Sequence, residues 1–117
     1  MQKRFWMISV KLSELVQKQV KDLRKKYHSI HDDILKLINE IEADPKNSID
    51  LGGNFYKKRF AINSKGKGKS GSGRAIYILY QLNLEEEAVV VEIFDKSDKE
   101  NISAARLKEL RQLYKNL

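Results

Sequence analysis

A single proline, Pro45, divides this chain, and the spacing of its apolar residues changes across it. Before it, Leu12, Leu15, Val16, Val20 and Leu23 recur at helical intervals, with Ser13 and Glu14 supplying a capped start. The other face of that helix carries Lys18, Lys21, Arg24, Lys25 and Lys26. Residues 27–29 form a short break, and Ser29 or the run His31–Asp33 opens a second helix. Its core stripe is Ile30, Ile34, Leu37, Ile38 and Ile41. Asp44-Pro45 ends it, because the residue ahead of a proline is pushed out of helical backbone space. So short a link makes the two helices an antiparallel hairpin. Residues 5–10, aromatic and β-branched, precede them as a first strand.

After Pro45 the period falls to two. Residues 47–54, with Gly52-Gly53, are turn-rich, and residues 56–62 read as a strand. A glycine-lysine-serine loop follows over 64–73, then a strand over 74–82, a polar turn over 83–87 and a third strand over 88–94. The two later strands, joined by a short turn, pair antiparallel. Residues 101–116 finish as a helix with Ile102, Leu107, Leu110 and Leu113 on its apolar side. The order β-α-α-β-β-β-α predicts an α+β fold: a small antiparallel sheet packed on one face against the N-terminal helical hairpin. At 117 residues the chain accommodates one domain, 1–117, and its 41% apolar and 33% charged residues suit a soluble globular protein. It has no cysteine, so neither disulfides nor thiolate zinc sites hold it together. The uncharged run over 5–10 is too short for a signal segment or a membrane span, which predicts a cytoplasmic protein without a membrane partner.

Charge is distributed unevenly. Seven basic residues and no acid lie between Leu51 and Leu84: Lys57, Lys58, Arg59, Lys65, Lys67, Lys69 and Arg74. The chain has 23 Lys+Arg and 16 Asp+Glu, so removing these seven leaves a neutral remainder. A neutral body with one cationic strip attracts polyanions, nucleic acid first. Alternation sets Lys57 and Arg59 on one face of their strand and Tyr56, Phe60 and Ile62 on the other. Arg74 starts the next strand and Lys96 ends the one after it, so these four cations are expected on one concave surface.

Other motifs are weaker. Gly66-Lys67-Gly68-Lys69-Ser70-Gly71 matches nucleotide-binding patterns, but a Walker loop needs glycine where Asn63 stands. Either pattern must also open a helix, and a strand follows here. His28, His31, Asp32 and Asp33 have the look of metal ligands. Their place at a helix start accounts for the aspartates, which complement the dipole, and leaves the histidines exposed.

The ordered combination of Tyr56-Lys57-Lys58-Arg59-Phe60-Ala61-Ile62, the Gly-Lys loop over 66–71, Arg74-Ala75-Ile76-Tyr77, Ile93-Phe94-Asp95-Lys96-Ser97 and Glu100-Asn101-Ile102-Ser103 strongly resembles the RelE/HigB toxins of bacterial toxin–antitoxin modules. The HigB-type branch is the nearest in look. The resemblance implies a RelE-like fold and an endoribonuclease, an mRNA interferase, that cuts messenger RNA on the ribosome without a metal cofactor. It implies two further partners, the ribosome and a cognate antitoxin with a helix-turn-helix domain. The family's strand cations fall on Lys57 and Arg59, its phosphate-binding arginine on Arg74, and its late-strand basic residue near Lys96. Where some members carry an arginine after the late lysine and a tyrosine on the following segment, this chain has Ser97 and, near the second position, Ser103. The proton donor is thus left open between Lys96 and another group. A ParE-like toxin that inhibits gyrase is the alternative, and a non-catalytic RNA-binding module a third.

Cations suit metal-free RNA cleavage. A 2′-hydroxyl attacks the adjacent phosphate, and positive charge stabilises the phosphorane. Like charges disfavour protonation of a crowded lysine, which makes Lys57 the expected base. Arg59 and Arg74 offer bidentate forks to the phosphate. Lys65, Lys67 and Lys69 are expected to grip flanking phosphates.

Overall fold

The computed structural model describes residues 8–66, 71–82 and 85–115. Strand β1 (Ser9–Leu12) leads into α1 (Glu14–Lys26) and α2 (Ile30–Ala43). Strands β2 (Ile49–Gly52) and β3 (Phe55–Phe60), a 3-10 turn (Asn63–Lys65), β4 (Gly73–Leu82), β5 (Glu85–Asp95) and α3 (Ala104–Leu113) follow. The α+β architecture and the helical hairpin are those expected. The Ser13 hydroxyl accepts from the Val16 N–H at 3.1 Å and so caps α1. Of the expected first strand, residues 5–7 lie outside the described residues.

The sheet departs from expectation in two ways. It has five strands in the order β1-β5-β4-β3-β2, and β1 runs parallel to β5, with Val10 opposite Ala88. The extra strand, β2, lies in the segment that reads as turn. Its four residues are mostly exposed and carry no core alternation; pairing with β3, Ile49 opposite Lys57, is what makes them a strand. Gly52, Gly53 and Asn54 all take positive φ there, which closes the β2–β3 connection.

Helices cover both faces of the sheet rather than one. On one side α1 and α2 bury Val16, Ile30, Leu37 and Ile41 against Tyr56, Tyr77 and Val90. On the other, Leu110 and Leu107 of α3 pack against Phe55, Ile76, Ile78, Val91 and Phe94. Tyr77 is fully buried; its hydroxyl donates to the Pro45 carbonyl at 2.6 Å and its ring stacks on Tyr56 at 5.6 Å. That bond ties the end of the helical hairpin to the middle of the sheet. The buried Asp33 carboxylate accepts from the Asn63 amide at 2.8 Å and from the Ser29 hydroxyl at 2.7 Å, fastening α2 to the 3-10 turn.

Candidate functional site

Alternation along β3 sends Phe55, Lys57 and Arg59 to the α3 side of the sheet and Tyr56 and Phe60 to the hairpin side. Lys58 goes with the second group, its ammonium 3.9 Å from Glu40. Arg59 stands directly opposite Arg74 of β4, and Arg74 opposite Phe94 of β5. Lys96 lies just past the end of β5, where its N–H donates to the Ser72 carbonyl at 2.8 Å. Two strands and a strand end thus bring Lys57, Arg59, Arg74 and Lys96 to one cavity of about 250 Å³, completed by Ile49, Glu100 and Asn101.

The electrostatics of this cavity are dominated by its four cations. Like charges opposite each other across a ladder are destabilising. Among the described residues none of the four cations is in an ion pair. Arg74 is only 7% exposed. Its Nη1 donates to the carbonyls of Gly71 and, at 3.0 Å, Gly73. Burial first, and the Arg59 charge second, push the Arg74 guanidinium below its ordinary pKa.

The loop lysines do not share this arrangement. Lys67 and Lys69 lie outside the described residues. Lys65, expected at a flanking phosphate, turns inward instead, and its ammonium meets Asp95 at 2.7 Å over the ring of Tyr27. The Asp95 side chain is fully buried and also accepts from the Tyr27 hydroxyl at 2.5 Å and the Ser97 N–H at 2.9 Å. Burial works against its charge, but the bonds from Lys65, Tyr27 and Ser97 prevail and hold its carboxyl well below the usual carboxylate range. The same bond raises the Lys65 pKa against burial. Lys65 is therefore a structural ion-pair partner. Sequence patterning hides this, because an isolated lysine beside glycines reads as solvated.

Ile49 also escapes a sequence reading, as does the contact of Asn101, which lies ahead of α3 rather than opening it. Both sit in irregular or short segments where no period marks a face. The Asn101 Oδ1 accepts from the Lys57 Nζ at 3.0 Å. His28 and His31 are exposed, while Asp33 is used by the latch described above. Among the described residues no group of three His, Cys, Asp or Glu side chains is placed to hold a metal ion. Nor is any described helix long and apolar enough to cross a membrane.

Comparison with curated proteins finds no significant match. The family model described as the RelE toxin of the RelE/RelB toxin–antitoxin system matches residues 14–117, which take in both helices of the hairpin, four of the five strands and α3. A match over that span, on a five-stranded α+β frame, shows that the chain belongs to the RelE toxin family, as the toxin half of a toxin–antitoxin system whose partner is a cognate antitoxin.

Proposed function

We propose that this toxin is a HigB-like, ribosome-dependent mRNA endoribonuclease that stops translation without a metal cofactor. The observation that carries the reading is the convergence of Lys57, Arg59, Arg74 and Lys96 on one cavity with no carboxylate paired to any of them among the described residues. Such a cavity fits a phosphodiester. Two arginines opposite each other in the register disfavour the fold, and an anion between them would offset that.

Lys57 takes the proton of the 2′-hydroxyl as the oxygen attacks phosphorus. Arg59 and Arg74 neutralise the two non-bridging oxygens as charge gathers on them. The bond to the 5′-oxygen breaks, and that oxygen leaves with a proton from Lys96 or from water. The products are a 2′,3′-cyclic phosphate and a 5′-hydroxyl end. Lys67 and Lys69 hold flanking phosphates. The cavity is open and small, which suits a site that borrows positioning groups from the ribosome.

The test is expression of the toxin alone in bacteria, with message lengths and plasmid supercoiling measured together. Shortened translated messages, unchanged supercoiling and loss of both effects in Lys57→Ala are expected. Relaxed or broken DNA with intact messages refutes the reading in favour of a gyrase poison. In a purified system, cleavage is expected to need programmed ribosomes and to proceed in EDTA once the complex is assembled.

A further inference from the structure

Within the cavity, one neutral side chain touches a proposed reacting group. Asn101 lies in the segment between β5 and α3, far from β3 in the chain, and its Oδ1 accepts two hydrogen bonds: from Lys57 Nζ at 3.0 Å and from the N–H of Ile102 at 2.9 Å. Both lone pairs of that oxygen are used. Turning the amide over would set its NH₂ against two donors, so the chemistry of the contacts determines its orientation. This is the one side-chain hydrogen bond of the Lys57 ammonium among the described residues.

The identity of the partner matters. The other charged groups around Lys57 are Arg59 on its own strand, Arg74 on β4, and Lys96 and Glu100 beyond β5, with Lys58 on the neighbouring cavity. Glu100 lines the cavity yet makes no ion pair with any described residue. A carboxylate at the position of the amide would favour the ammonium and keep its proton in place. An amide oxygen accepts an N–H from the charged and the neutral amine alike. A neutral amine has two N–H groups and one lone pair, so holding one N–H limits where the lone pair points.

We propose that Asn101 is the positioning residue of this reaction centre, holding one N–H of Lys57 so that the lone pair of the neutral amine faces the cavity and the attacking 2′-hydroxyl. The inference rests on Lys57 being the base. It assigns Asn101 no contact with the reacting phosphorus.

The experiment compares Asn101→Ala, Asn101→Asp and Lys57→Ala in a ribosome-programmed cleavage assay across pH, with NMR titration of the Lys57 side chain in the purified toxin. Asn101→Ala is expected to lower kcat about tenfold or more with KM little changed, since one hydrogen bond to a chargeable group is lost. Asn101→Asp keeps an acceptor for both donors, so its fold is preserved. It is expected to move the rising limb of the kcat profile up by about 1–3 pH units and to recover most of the rate above that limb. The NMR titration of the side chain is expected to move in the same direction. Lys57→Ala inactive, with wild-type profiles in both Asn101 variants, overturns this inference and leaves Lys57 as the base. Lys57→Ala fully active overturns the base and the inference together. An unchanged NMR titration in Asn101→Asp overturns the contact itself, whatever the cleavage assay shows.

Discussion

At the residue scale, two buried charges in this toxin have opposite destinies. Arg74 is buried without an acid and Asp95 is buried with a full set of donors. Arg74→Ala is expected to abolish growth arrest while the far-ultraviolet circular dichroism stays native; a fully toxic variant removes Arg74 from the site. Arg74→Lys keeps the charge and loses the fork, so cleavage is expected to fall by about 10²-fold, read as kcat on programmed ribosomes. For Asp95→Ala the loss is one of stability, roughly 3–5 kcal/mol, because Lys65 would be left without its partner. The pH dependence follows from the two shifts. Asp95 is depressed on folding, so its contribution is present above the unfolded carboxylate value of about 4 and drains away as pH falls below it. Lys65 is raised, so its contribution is present below about 10.4 and is lost as pH rises beyond that. Thermal melts of wild type and Asp95→Asn should therefore differ most between these limits and converge in acid; a constant gap at every pH would refute the assignment.

At the scale of elements, the β3–β4 pair is the part that positions the cations, and its tightest point is Gly73. A Cβ built there would lie 2.5 Å from Phe60 Cζ. Gly73→Ala is expected to destabilise by about 1–3 kcal/mol, since the Phe60 ring must leave its place in the core. A denaturant midpoint equal to wild type would show that the ring moves freely. The hairpin and β3 were legible in the sequence because each has a strong period, Ile30 to Ile41 at helical spacing and Tyr56 to Ile62 at spacing of two. β4 was legible as an unbroken apolar run from Ala75 to Tyr80 after a glycine-rich loop. Lys57 and Arg59 could be assigned to a face by the period of β3, whereas Arg74 and Lys96 were placed only at strand ends. It is the register Arg59–Arg74–Phe94 that brings them together. β2 was not legible, because Ile49, Asp50, Leu51 and Gly52 become a strand only by pairing with β3. The place of α3 was hidden too, since β5 is buried on both faces and shows no alternation to say which side a helix covers. Lys65 and Asn101 depend on contacts 30 and 44 residues away. Local patterning carries no record of such distances.

At the scale of the whole molecule, the net charge of +7 and its concentration in one strip make a field that attracts polyanions, the proposed RNA among them. Binding to ribosomes should weaken steeply with salt, and Lys67→Ala or Lys69→Ala should each flatten the log–log slope by about one unit or less. Saturated turnover should change little; equal loss of turnover in these variants and in Lys57→Ala would refute the division between gripping and reacting groups. The parallel pairing of β1 with β5 has a consequence for synthesis. Val10 waits for Ala88, so the frame cannot close until almost every strand has left the ribosome that is making it. The β3–β4 hairpin, with its local contacts, forms earlier. Lys96 and Asp95 arrive only with the last strand. A chain cut short before β5 lacks the partner strand of β1 and β4, so its expression is expected to leave growth unaffected.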